Sequence, residues 1–222
     1  MIPVVLASQS PARRQVLTAS GIDPIIIVSE VDEPAIEATF EGTVADLTTA
    51  LSEAKSRAVV DRVLASPPAQ LATADTVVII AGDSLLEHDG QAIGKPGTAE
   101  HTREVWAVIA GEWTALHSGH TLAVLKRADT SAANFELVDI RSKRSTTSVL
   151  IGEPTPEELE AYIATEEPFH VAGALTIDGY GGAFVERLVG DHLTVLGLSL
   201  PVVRDLVRDA GLFWPDLWLP RA

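Results

Sequence analysis

Ile2-Pro3-Val4-Val5-Leu6-Ala7-Ser8-Gln9-Ser10-Pro11-Ala12-Arg13-Arg14 delivers an apolar run directly onto a helix start. Ile2 to Ala7 reads as a buried strand. Pro11 suits the first turn of a helix ending near Gly21, since proline lacks an N–H that this turn would leave unpaired. Two hydroxyls, the free N–H groups of the helix start and two guanidinium groups meet in this small region. Helix N-termini attract anions, and arginine binds phosphate oxygens in pairs, so the chemistry fits a polyphosphate. An ordinary N-cap serine followed by solvated arginines fits the same letters, and the segment alone leaves both readings standing.

The rest of the chain continues the alternation of strand and helix. Ile25 to Val28 reads as a second strand leading into Glu30-Val31-Asp32-Glu33. Thr43 to about Leu64 reads as a long helix, with Thr43 and Asp46 spaced as a capping box. Val77-Val78-Ile79-Ile80-Ala81 is a strongly apolar strand whose end carries Gly82-Asp83-Ser84. Asp89-Gly90 marks a tight turn before Gly94-Lys95-Pro96. Thr98 to Ala110 is another helix, with strands expected at Thr114–His117 and Thr121–Leu125 and a surface loop at Lys126–Asn134. One or two strands occupy Phe135 to Ile151, and Thr155-Pro156-Glu157-Glu158 opens a helix with a cap and an early proline. Gly173 to Gly182 is a region of turns, Ala183–Val189 a strand, and Ser199 to Ala210 a closing helix. The tail with Trp214 and Trp218 packs onto the body or a partner subunit. The expected class is mixed α/β, in a single domain over residues 1–222 with no convincing internal boundary.

Composition narrows the function. With 222 residues, 46% of them hydrophobic, the chain can bury a full core. No apolar run approaches a membrane span, and the first residues enter a strand rather than a leader. The chain has no cysteine, which removes disulfides and thiol catalysis. These features point to a cytoplasmic protein with no membrane partner. A net charge of −15 argues against a nucleic-acid polymer as partner, because such binding uses basic faces.

Carboxylates and cations recur near the ends of elements. Asp83 follows the most apolar strand, and ligands of open α/β sheets gather at the carboxyl ends of strands. The hairpin at Asp89-Gly90 can return Lys95 toward Asp83. Glu33 follows the second strand at an equivalent edge. Lys55, flanked by Glu53 and Arg57, reads by default as part of a solvated helix face. Together the set suits phosphoryl chemistry, in which a hard divalent cation such as Mg²⁺ takes one or two carboxylates while cations offset phosphate charge. Gly94-Lys95-Pro96 is no P-loop, a dinucleotide fingerprint is missing, and Gly179-Tyr180-Gly181-Gly182 marks a turn.

In order along the chain, Leu6-Ala7-Ser8-Gln9-Ser10-Pro11 with Arg13, Val31-Asp32-Glu33, Glu53-Ala54-Lys55, Gly82-Asp83-Ser84 and Gly94-Lys95-Pro96 resemble the Maf family of nucleotide pyrophosphatases. Ser118-Gly119, Ala172-Gly173, Ile177 to Glu186 and Val195 to Pro201 extend the likeness. The resemblance implies an elongated mixed sheet flanked by helices around a central cleft, similar to inosine triphosphate pyrophosphatases, in a homodimer. It implies metal-dependent hydrolysis of nucleoside triphosphates to the monophosphate and pyrophosphate, with magnesium, or manganese in its place, as cofactor. Housekeeping of the nucleotide pool and a link to arrest of septum formation also come with it.

The family's catalytic aspartate commonly sits in Ala-Asp-Thr, letters that recur here as Ala74-Asp75-Thr76. Asp75, however, precedes the apolar strand, and the family spacing to the Lys-Pro pair is met by Asp83. Asp83, Lys95 and Glu33 are therefore the expected catalytic residues, with Glu33 and Asp83 also the expected metal ligands. Ser8, Ser10, Arg13, Lys55, Ser84 and Asp178 are the expected substrate contacts, and Arg14 is peripheral. Ala12, Ser84 and Asp178 depart from the letters that accompany dTTP and UTP preference in one branch, so a pyrimidine preference does not carry over. Two rivals remain: a non-catalytic nucleotide-binding regulator of septum formation, and a sugar nucleotidyltransferase. The absence of a glycine-rich loop near Ala7–Arg14 counts against the second.

Overall fold

The computed structural model describes residues 1–128 and 134–220. Seven strands form one mixed sheet: β1 (Val4–Leu6), β2 (Ile25–Ile26), β3 (Thr76–His88), β4 (Gln91–Ile93), β5 (Trp113–Arg127), β6 (Phe135–Ile151) and β7 (Val185–Val189). The order across the sheet is β2-β1-β3-β5-β6-β7, with β4 also paired to β3. Around it lie α1 (Pro11–Ala19), α2 (Glu33–Glu37), α3 (Val44–Ala65), α4 (Ala99–Ile109), α5 (Pro156–Ile163), α6 (His192–Val195) and α7 (Leu200–Asp209). No helix among the described residues is long and apolar enough to cross a membrane.

Local signals place most helix starts where the letters put them. Ser10 caps α1, Thr43 and Asp46 close a reciprocal capping box on α3, and Thr98 caps α4. Thr155 with Glu158 and Ser199 do the same for α5 and α7. Each such side chain accepts an N–H that the first turn leaves without a helical partner. Two helices, α2 and the four-residue α6 capped by Asp191, are additional to the expected set. Asp32 caps α2, so Glu33 begins a helix and does not trail the second strand, which itself stops at Ile26.

The strands depart further. β3 runs from Thr76 to His88, so Asp83 lies within it and not after it. β5 is one strand of 15 residues where two were expected, and β6 is one of 17. β3 and β5 pair from Thr76 to Glu87 without a register shift. Their ladder carries extended backbone across polar residues that end the apolar pattern. Lys126 and Arg127 consequently belong to β5, while the remainder of the expected loop falls mostly on 129–133, outside the described residues. At the other end, β7 begins only at Val185, after a 3-10 turn over Tyr180–Phe184.

The other edge of β3 is divided. β1 covers Val78–Ile80 in parallel, and β4 covers Leu86–His88 in antiparallel. Ala81 to Leu85 therefore have no strand partner on that edge, and the sheet forks there with Asp83 at the middle of the opening. One prong is the carboxyl end of β1, the place where a parallel pair leaves room for ligands.

Alternation along β3 assigns its side chains to two faces. Val78 and Ile80 join a core with Val16, Leu17, Val203 and Leu206 from α1 and α7. Val77, Ile79 and Ala81 pack with Val59, Val60 and Val63 of α3. Each fully buried aliphatic side chain of α3 contributes roughly 1.5–3 kcal/mol. Gly119 lets α3 come close: a Cβ there would strike the Thr48 carbonyl. Ser52, one turn before Lys55, then bonds the buried Thr121 hydroxyl of β5 at 2.8 Å. The tail packs on the body, with Leu217 buried in the α1/α7 core and the Ile2 N–H donating to Asp216 O at 2.7 Å.

Candidate active site

Asp83 and Ser84 are neighbours in sequence but belong to opposite faces of β3, and the site is built around that division. Asp83 faces α3. Lys55 Nζ stands 2.5 Å from Asp83 Oδ1 and 3.0 Å from Glu33 Oε2. Lys55 is buried and paired twice, so the solvated-face reading of this residue is overturned. The letters around it misled because α3 is covered on several sides, by β3, β5, β6 and α2. Glu33 is half-buried at the first turn of α2, which places its carboxylate over the fork. Among the described residues Asp83 Oδ2 has no hydrogen-bond partner, which leaves it to meet a ligand.

Ser84 faces α1 and α7, toward Arg13. The Arg13 guanidinium donates from Nε to Gly197 O at 2.8 Å, from Nη1 to Ser8 Oγ at 3.1 Å and from Nη2 to Ser84 Oγ at 3.0 Å. It lies over two glycines, since a Cβ on either Gly82 or Gly197 would come within 3.2 Å of Nε. Burial pulls its pKa below the ordinary arginine value, opposed by the charges of Asp83 and then Glu33. The Ser84 hydroxyl bound to Arg13 and the Asp83 carboxylate bound to Lys55 come from adjacent residues of β3 at its open edge. Three of the five guanidinium donors are taken, which leaves two for an anion. Ser8 Oγ accepts from both Arg13 and the Ser10 N–H, so its own proton is free to donate outward. Ser10 is the N-cap of α1, its hydroxyl accepting the Arg13 N–H at 3.4 Å. Arg14 is exposed and peripheral, as expected.

Lys95 follows β4 on the same edge of β3 and is exposed, without an ion pair or hydrogen bond to Asp83. Its charge is felt at Glu37. Burial, then the charges of Asp83 and Glu33, raise the Glu37 carboxyl above the ordinary range, while Lys55 and Lys95 oppose them. Glu37, one turn beyond Glu33, is a member that sequence reasoning missed. The signal was faint: Asp32-Glu33-Pro34 sets a proline one residue beyond its cap, where Ser10-Pro11 and Thr155-Pro156 set cap and proline side by side, and no apolar period follows it.

Asp178 is not brought into the group. It sits exposed in a turn beside Glu167, whose carboxylate accepts the Tyr180 and Gly181 N–H groups at 3.0 and 3.1 Å. Asp75 lies eight residues before Asp83 along an extended chain, about 26 Å away at about 3.3 Å per residue. It lines a separate hollow of about 350 Å³ with Met1, Thr73 and Asp216.

A family model described as Maf-like protein matches residues 3–210. The nucleoside triphosphate pyrophosphatase of Saccharopolyspora erythraea is 43% identical over 217 residues, covering 97% of each chain. Its namesakes in Nocardia farcinica and Streptomyces avermitilis are 43% and 42% identical, covering 97% and 98% of this chain and 96% and 95% of their own. Among solved structures, the Staphylococcus aureus Ham1 protein superposes loosely, with a TM-score of 0.33, 14% identity and coverage of 68% of this chain and 72% of its own. The family match takes in both prongs of the fork and every charged side chain gathered there, and on that footing the chain belongs to the Maf-like protein family.

Proposed function

We propose that this chain hydrolyses nucleoside triphosphates to the monophosphate and pyrophosphate at the fork of its sheet. The observation that carries the reading is the buried Lys55 ammonium held between Asp83 and Glu33, beside an arginine with donors to spare. The names of the relatives above support the same reaction.

Arg13, the Ser8 hydroxyl and Lys95 line the open edge and suit the phosphate tail. Their hydrogen bonds and charge offset the negative charge that grows on the leaving pyrophosphate. Lys55 fixes Asp83 through Oδ1, so Oδ2 is the oxygen that orients water or takes its proton as the water attacks phosphorus. Lys55 Nζ occupies the point between Asp83 Oδ1 and Glu33 Oε2, so a Mg²⁺ ion, bound chiefly by substrate phosphates, would be held by the carboxylate oxygens turned away from the ammonium. Among the described residues no group of three or more His, Asp or Glu side chains is placed to enclose a metal without that help. When bound, such an ion supplies further neutralisation of the phosphate oxygens.

The test is pyrophosphate release from a panel of canonical, methylated and damaged triphosphates, with Mg²⁺ and with chelator. Multiple turnover with at least one triphosphate is expected, and Asp83→Asn should lose a hundredfold or more, on the order of a general-base contribution. Binding without turnover across the whole panel would favour a nucleotide-sensing regulator instead.

A further inference from the structure

Two polar residues of β5, Ser118 and His120, are fully buried and lie outside the set assigned to substrate. They pair with Ser84 and Gly82 of β3, so both face α7 and the Arg13 guanidinium. We propose that Ser118 and His120 are positioning residues for the phosphate grip: from alternate sites on β5 they hold both ends of the Thr194–Ser199 turn, whose Gly197 carbonyl orients Arg13. The inference rests on the reading of Arg13 as a phosphate ligand.

The geometry makes a closed frame. Ser118 Oγ donates to Thr194 O at 2.9 Å, the carbonyl that also accepts the Gly197 N–H at 3.0 Å. At the far end of the turn, the Ser199 N–H donates to His120 Nε2 at 2.8 Å. Between these two anchors the Gly197 carbonyl accepts Arg13 Nε at 2.8 Å. Gly197 has φ +91°, and a Cβ there would meet both Arg13 Nε and Ser84 Oγ at 3.2 Å. The turn is thus held close against the guanidinium at a residue with no side chain.

Proton bookkeeping gives the frame a direction. Ser118 spends its only hydroxyl proton on Thr194 O, so in its 2.7 Å bond with Ser84 it must accept. Ser84 therefore donates to Ser118, and its oxygen presents a lone pair to Arg13 Nη2. Ser84 then has no proton left for a substrate and serves the arginine. His120 must accept at Nε2, so the ring is neutral with its proton on Nδ1. Burial, and then the charge of Arg13, push its pKa down to about 4, consistent with that neutral form. With Nε, Nη1 and Nη2 each tethered, the two remaining N–H groups keep a fixed direction, which lowers the entropy lost when an anion binds.

The experiment is calorimetric titration of the full chain with inorganic tripolyphosphate in magnesium buffer, a probe that needs neither base nor turnover. Ser118→Ala and His120→Leu should each weaken binding about tenfold, the scale of one lost hydrogen bond. His120→Gln, whose amide oxygen can reach the Nε2 position, should bind within about twofold of wild type. In an Arg13→Lys background, Ser118→Ala should add nothing, because the two changes remove one shared interaction. The proposal is overturned if Ser118→Ala binds like wild type, or if it costs as much in the Arg13→Lys background as alone. It is equally overturned if His120→Gln binds as weakly as His120→Leu, or if wild type does not bind tripolyphosphate. Should His120→Leu fail to fold, the serine cycle decides by itself. Intact tripolyphosphate binding without triphosphate hydrolysis would remove the proposed reaction and leave the frame standing.

Discussion

Lys55 and Asp83, 28 residues apart, meet as a buried ion pair with Nζ 2.5 Å from Oδ1. Both side chains are nearly excluded from water, and among the described residues no other ion pair joins α3 to β3. Breaking such a pair from one side leaves an uncompensated charge in a poorly solvated place. Lys55→Met is therefore expected to destabilise the protein by about 3 kcal/mol, the scale known for a buried pair that loses one partner. Asp83→Asn should cost less, because Lys55 retains Glu33 at 3.0 Å. Urea unfolding of both variants at neutral pH checks the order, and a milder effect for Lys55→Met would contradict it.

Asp75 and Asp83 offer competing letters for one role. Asp75 is exposed before β3 begins, whereas Asp83 is buried at the fork. Asp75→Asn should leave pyrophosphate release within about twofold of wild type, while Asp83→Asn abolishes the contribution of a positioned base, about a hundredfold or more. Equal losses in the two variants, measured on the same triphosphate, would mean that the wrong carboxylate has been placed at the reaction.

Gly21 and Gly197 both have positive φ, +85° and +91°, but only Gly197 is crowded. Alanine costs about 1 kcal/mol at either position through backbone strain alone. Gly197→Ala should in addition displace Arg13 and raise the KM for triphosphate severalfold, with Gly21→Ala leaving KM unchanged. Paired unfolding and kinetic measurements separate the shared effect from the specific one.

His120 links stability to acid. Its folded pKa of about 4 lies below the ordinary value of 6.5, so the unfolded chain binds the extra proton first as pH falls. The stabilising effect of neutral His120 is complete above about pH 6.5 and is lost on acidification through about pH 4. The window corresponds to about 3 kcal/mol. His120→Gln lacks this term, so the gap between wild type and variant in unfolding free energy should shift by that amount in favour of the variant between pH 7 and pH 4. A constant gap across the range would show that His120 takes up its proton at the same pH in the folded and unfolded chains, and that burial does not lower its pKa.

Much of the site was legible as a set of letters and little of it as an arrangement. Ser8, Arg13, Glu33, Lys55 and Asp83 do converge on one edge of β3. Lys95 lies exposed on the same edge without bonding to them, and Asp178 is exposed in its turn. Glu37 escaped because its helix is only five residues long and carries no buried residue, so no apolar period announces it. Ser118 and His120 escaped because their partners, Thr194 and Ser199, lie 76 and 79 residues away.

Caps, prolines and apolar runs act through neighbours a few residues apart, and for that reason the amino-acid order alone determined where α1, α3, α4, α5 and α7 begin and which segments feed the sheet. The length of β3, the fork opposite Asp83 and the separation of Asp83 from Ser84 on two faces were decided by tertiary structure. Each depends on pairing with β1, β4 and β5. Register between distant strands selects which side chains share a face, and no local spacing encodes that choice.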